Sequence, residues 1–228
     1  MRGFRLPPRK HAEPAHDLAH TDLGLERLIF FSDAVMAIAI TLLAIDLRVP
    51  EIVGLATSPE LVARLAAMWP RFLSFVVSFG VVAVYWSSHH RHFGLIRRYD
   101  GRLILLNMLF LLCITCMPFI AGFLGLYPYL PLSLMVYATA VALTGFAMGG
   151  IWWYASYAHR LVDADLDGRF IRSRTIIAFV GPTMFLVSIP AAAASPTLAI
   201  AVWCASPVVS VAILRWLDRR PQQRHITR

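Results

Sequence analysis

The chain is short of charge. Only 15% of its 228 residues are Asp, Glu, Lys or Arg, while 58% are apolar. A soluble domain carries roughly a quarter charged residues, so a water-exposed globular enzyme is excluded by composition alone. Lysine is nearly absent: Lys10 stands alone beside twenty arginines. Cysteine is scarce too, with Cys113, Cys116 and Cys204 all in apolar stretches, which excludes a disulfide scaffold. Cys113 and Cys116 have the C-x-x-C spacing but no second pair, and read as small buried hydrophobes rather than a redox or metal site. Strand-like alternation is missing, as are a TVGYG-like loop and any span with an arginine at every third position. Stacked-carbonyl filters and voltage sensors are thereby excluded.

What is present is length without charge. No Asp, Glu, Lys, Arg or His occurs from Leu103 to Ala158 or from Thr175 to Leu214, and Phe72–Ser88 is a third such stretch. A transmembrane helix needs about 20 apolar residues, so the longer runs each hold two spans. Prolines divide them, at Leu124–Pro131 and at Pro190–Pro196. The pattern predicts an all-α membrane protein of six transmembrane helices at about 25–47, 66–93, 101–123, 130–156, 172–190 and 197–217. Three regions are expected: a flexible tail at 1–22, the membrane domain at 23–218 and a second tail at 219–228.

Arginine placement orients the spans. The N-terminal tail, the link between helices two and three, the link between four and five and the C-terminal tail are each rich in arginine. The opposite loops hold only Arg48, Arg64 and Arg71. Both termini are therefore expected in the cytoplasm, with the chain in the cell membrane. The net charge of +8 then reflects membrane orientation, and nucleic acid is not a partner.

Helix one carries the unusual chemistry. It reads Glu26-Arg27-Leu-Ile-Phe-Phe31-Ser32-Asp33 and then turns apolar, apart from Thr41, as far as Ile45. Asp33 stands about two turns inside the span, where a carboxylate must face protein or water and find a partner. Arg27 is on roughly the same side. Ile38, Leu42 and Ile45 follow the i, i+4, i+7 spacing of one narrow stripe. A packing seam and a pore constriction look alike at this level. Thr41 either serves a neighbouring helix or ion, or bonds back to the Ala37 carbonyl.

R-x-x-x-F-S-D followed by A-I-A-I-T-L-L-A-I resembles the signature of the transmembrane protein 175 family, the organellar and bacterial potassium channels. Trp86-Ser-Ser-His89-His90-Arg-His92-Phe93, Asn107 and the stretch from Leu112 to Met117-Pro118-Phe119 extend the resemblance to nearly the whole chain. It implies a homotetramer in the lipid bilayer with helix one lining a central potassium pathway. It places a filter of apolar layers at Ile38, Leu42 and Ile45, with Thr41 as the supporting threonine. Arg27, Phe31, Ser32, Asp33, Trp86, His89, His90 and Asn107 become a structural motif that pins helix one to helices two and three. An apolar ring strips part of an ion's hydration shell, which is easier for potassium than for sodium, so modest selectivity is expected.

Two other classes have weaker support in the residues. A small multi-pass transporter would show paired repeats with broken helices, and no internal repeat is visible. A membrane-embedded metal-dependent enzyme would use the His cluster. Adjacent histidines on a helix diverge by about 100°, however, so only His89 and His92 converge, and a third ligand is not evident. No catalytic residue, metal or cofactor is expected. The run Asp163-Ala-Asp165-Leu-Asp167-Gly168 lacks the later Glu of a calcium loop and reads as a solvated turn capping the next helix.

Overall fold

The computed structural model describes residues 15–48 and 57–218, with side chains for 23–48 and 57–217. The tails expected at 1–22 and 219–228 lie outside the described residues, except that the backbone of 15–22 is helical. Helix α1 spans Ala15–Leu42 and tightens into a 3-10 turn over Leu43–Asp46. A short α2 (Ser58–Ala67) is followed by α3 (Trp69–Phe93), α4 (Gly101–Leu126), α5 (Pro131–Ser156), α6 (Gly168–Ala194) and α7 (Pro196–Asp218). All but α2 contribute a segment long and apolar enough to cross a membrane, making six among the described residues. The protein is an all-α, multi-pass membrane protein.

Helix one begins earlier than expected, at Ala15, α4 runs on to Leu126 and α6 starts at Gly168 behind its Asp167 cap, and two further boundaries differ for identifiable reasons. The second span, expected from residue 66, begins at Trp69, because Met68 makes a turn between α2 and α3 and Pro70 occupies the first turn of α3. The break expected from Pro190 onward falls instead at Ser195 alone. Pro190 removes one backbone donor, but the four alanines after it are the strongest helix formers and carry α6 onward. Ser195 adopts φ −162°, ψ 128°, the extended conformation that a following proline imposes.

The bundle is layered. Helix α5 lies between α4 and α6, α7 packs mainly on α6, and α1 rests across α4 and α3. The α5–α6 seam uses the small residues Gly145 and Gly149, one turn apart. A side chain at Gly145 would run into the Pro182 ring, and one at Gly149 into the Phe179 ring. With no hydrophobic driving force between helices in lipid, interhelical hydrogen bonds supplement this packing. Ser74 donates to the Ala121 carbonyl at 2.6 Å, Tyr85 to the Val141 carbonyl at 2.6 Å, Trp152 to Thr175 at 3.1 Å and Trp203 to Ser188 at 2.7 Å.

At the end bearing the arginine-rich links, two loops are strapped together. The Arg97 backbone N–H donates to the Leu161 carbonyl at 2.8 Å, Ile96 and Val162 form an antiparallel bridge, and the Arg97 guanidinium meets Asp163 at 3.1 Å. Asp167 caps α6 by accepting from the Arg169 N–H at 3.0 Å. Asp100 caps α4 through the Leu103 N–H at 2.8 Å and accepts from the Tyr154 hydroxyl at 2.6 Å.

Burial pushes the Asp100 carboxyl up, but the Tyr154 hydroxyl, the Leu103 and Arg102 N–H groups and the nearby Arg160 outweigh it and hold the group below its usual value. A depressed folded-state value means that the carboxylate stabilises the fold above about pH 4, and that this contribution is lost as pH falls through the folded value. The melting temperature of wild type minus that of Asp100→Asn is therefore expected to shrink as pH is lowered from 6 to 3. A difference that stays constant with pH would show that the Asp100 charge carries no stability.

Candidate functional site

Helix α1 has two faces with opposite fates. Leu25, Leu28, Ser32, Met36, Ala39 and Leu43 recur every three or four residues and are all buried against α3 and α4. On the other side Ile38, Leu42 and Ile45 are 58%, 40% and 56% exposed in the single chain, and Thr41 is exposed among them. In lipid, exposure of apolar side chains is ordinary. The distinction is that these side chains lie away from the face by which α1 is attached.

The attachment is polar at one level. Ser32 is fully buried and donates to the Leu28 carbonyl at 2.8 Å. Its oxygen accepts from the Asn107 amide of α4 at 2.8 Å. The Asn107 carbonyl pairs with the His89 Nε2 of α3 at 3.1 Å, which makes that nitrogen the donor. His89 and Asn107 are also fully buried, and the His89 ring stacks on Phe93 with centroids 4.1 Å apart and on Phe110 at 5.8 Å. Three helices thus meet in one hydrogen-bonded chain inside an apolar core, where an unmade bond costs most.

Asp33 belongs to a second, shallower contact. Its carboxylate accepts from the Trp86 indole N–H at 3.0 Å, and the Trp86 ring stacks on His90 at 5.8 Å. Asp33 is half-buried and Trp86 is exposed in the single chain. Among Trp86, His89, His90 and Asn107, all at one depth in the sequence, Asp33 thus takes Trp86, and Ser32 takes Asn107. Arg27 makes no ion pair with Asp33 among the described residues. Phe31 is exposed, one residue before the buried serine. Of the two roles open to it, the Thr41 hydroxyl takes a back-bond, to the Ile38 carbonyl at 2.8 Å in place of Ala37, just before the helix tightens into its 3-10 turn.

The three histidines go to three places. His89 faces Asn107, His90 lies on Trp86, and His92 stacks on Trp152 of α5 at 4.9 Å. Among the described residues no group of three His, Cys, Asp or Glu side chains is placed to hold a metal. The Tyr154–Asp100 bond, the strap between the two arginine-rich links and the Gly145–Gly149 seam are absent from the sequence-based expectations. Only the last left a signal, a G-x-x-x-G spacing within an apolar run.

A six-span helical membrane protein with one helix pinned by a buried polar chain, and an apolar stripe on that helix's other side, is the class these features define. Residues 27–118 match the family described as endosomal/lysosomal potassium channel TMEM175. The chain is 33% identical over 165 residues to a protein from Chamaesiphon minutus named a potassium channel, covering 71% of this chain and 81% of that one. It is 31% identical over 179 residues to a similarly named protein from Streptomyces collinus, covering 77% and 85%. A Rattus norvegicus protein named an endosomal/lysosomal proton channel is 36% identical over 121 residues, which is 51% of this chain and 24% of that one. The crystal structure of a lysosomal potassium-selective channel TMEM175 homolog from Chamaesiphon minutus superposes with a TM-score of 0.70 at 27% identity, covering 86% of this chain and 98% of that chain. The chain belongs to the TMEM175 family.

Proposed function

We propose that this protein is a cation channel that assembles as a homotetramer around α1 and conducts potassium in preference to sodium. The observation that carries the reading is the two-faced first helix. One face is fixed by the Ser32–Asn107–His89 chain and the Asp33–Trp86 bond, and the other presents Ile38, Leu42 and Ile45 without a partner among the described residues. Four copies of that face about an axis form three apolar rings. Such a ring has no oxygen to replace hydration water, so passage requires partial dehydration. The larger, less tightly hydrated potassium ion loses water more easily than sodium. Selectivity by this route is modest, because no fitted coordination cage discriminates between the ions.

The Thr41 hydroxyl stands beside the rings, and its back-bond to Ile38 occupies its proton and leaves its oxygen lone pairs free to face a partly stripped cation. Asp33 and Ser32 position the helix and stay out of the ion path. The relatives named potassium channels support the cargo. Purified protein in liposomes is expected to run as a tetramer by light scattering and to pass potassium faster than sodium down equal gradients. A monomer that passes neither ion would sink the reading.

Both termini are proposed to face the cytoplasm, on the arginine asymmetry of the loops. In a background lacking Cys113, Cys116 and Cys204, a cysteine at Tyr129 in the α4–α5 hairpin should label from outside intact cells. One at Asp165 should label only after permeabilisation. The reverse pattern would invert the topology.

A further inference from the structure

At the end of the bundle opposite the arginine-rich links, α1, α3 and α4 enclose a cavity of about 260 Å³. Its wall is apolar, from Leu43, Phe75 and Leu126, and its charged groups are Asp46, Arg48 and Arg71. No hydrogen bond or ion pair occupies these three side chains among the described residues. The Asp46 carboxylate lies directly over Gly122, where any side chain would collide with it, so the glycine sets the floor and admits the acid.

The depth of the cavity identifies what reaches it. Asp46 ends the first membrane segment, Arg71 is two residues into the second, and Leu126 ends the third. Trp69, Tyr127 and Tyr129 are exposed at the same level, which is where aromatic side chains mark the boundary between acyl chains and headgroups. The groups met at that boundary are lipid phosphates. Two guanidiniums and one carboxylate above an apolar wall complement a phosphate diester carrying a primary amine.

We infer that this cavity binds the headgroup of a phosphatidylethanolamine from the adjoining leaflet. Arg48 and Arg71 hold the phosphate, Asp46 holds the ammonium, and Leu43, Phe75 and Leu126 receive the first carbons of the glycerol ester. The inference is independent of ion conduction. It concerns the link between the 3-10 end of α1 and the two helices behind it.

The test is native mass spectrometry of the detergent-purified protein with added phosphatidylethanolamine, phosphatidylglycerol or inorganic phosphate. Wild type should retain phosphatidylethanolamine preferentially. Arg48→Gln and Arg71→Gln should each lower retention about fivefold, the equivalent of about 1 kcal/mol per basic residue at a membrane surface. Arg71→Lys keeps the charge and should retain most of the lipid, which separates lost binding from lost folding. Asp46→Asn should lower phosphatidylethanolamine retention and leave phosphatidylglycerol unchanged. Equal retention of both lipids by wild type and Asp46→Asn would overturn the assignment of the amine. Undiminished lipid in the Arg48→Gln/Arg71→Gln double variant, or capture of inorganic phosphate with no lipid, would overturn the site.

Discussion

Ile38→Asn is expected to raise conductance about tenfold and to bring the potassium-to-sodium permeability ratio close to one. Each ~1.4 kcal/mol taken off a barrier is a factor of ten in rate, and in the proposed tetramer four amides in one ring would replace lost hydration water by about that amount. The substitution is also well suited to a clean result. Ile38 is 58% exposed in the single chain and lies outside the buried face of α1, so the subunit should fold unchanged. Thr41→Ala removes a hydroxyl beside the ring and keeps the ring, so selectivity should fall with little gain in conductance. Leu43→Ala supplies the contrast. Leu43 is 2% exposed on the packed face, so its loss should cost about 2–5 kcal/mol of stability and leave reversal potentials alone. Bi-ionic reversal potentials in planar bilayers decide the matter. A selectivity change confined to Leu43→Ala would mean that the conducting face is the other one.

Among the polar anchors of α1, the largest stability effect should come from Asn107. It is fully buried and forms two of the three hydrogen bonds in the Ser32–Asn107–His89 chain, so Asn107→Ala strands the His89 donor and opens a void. A buried donor left unpaired costs about 1–3 kcal/mol before the void is counted. Asp33→Ala breaks one bond, to Trp86, at a half-buried position where water can replace it, and should cost about 1 kcal/mol. Thermal unfolding of the detergent-solubilised protein should therefore rank Asn107→Ala well below Asp33→Ala. The Ser32→Ala/Asn107→Ala double variant should show coupling of about 0.6 kcal/mol or more, as interhelical pairs in membranes do. An Asn107→Ala protein as stable as wild type would remove the polar chain as the anchor of α1.

The sequence made the architecture legible because lipid imposes a simple grammar. Uncharged runs had to be helices, and their breaks had to be at proline, which located α4, α5 and α7 within a few residues. The end of α6 was not legible at Pro190, because the four alanines after it carry the helix on to Ala194. Helix one was legible as unusual, since Asp33 is costly wherever it lies. The partner of Asp33 was not. Trp86, His89, His90 and Asn107 share a depth, and only the azimuths of three packed helices sort them. The serine beside the carboxylate proved the deeper residue, a distinction of about 100° of helical rotation that composition cannot carry. The strap from Arg97 and Ile96 to Leu161, Val162 and Asp163 joins segments separated by 66 positions at the Arg97–Asp163 pair, and no local pattern announces it.

That strap has a mechanical consequence. It staples the link between α3 and α4 to the link leaving α5, while Tyr154 holds the start of α4 from the side. The three middle helices are thus clamped at one end like the legs of a tripod under a common plate. A force applied to any one of them is shared by the others, and none can pivot alone at that end. Among the described residues, helix α1 leans on α3 and α4 and, at Gly24, on the Tyr99 side chain of the α3–α4 link, with Ser32 as the deepest of its polar contacts. In such a frame the tripod is the shared support, and the first helix is propped against it from the side along its length from Leu25 to Leu43, with the serine near the middle.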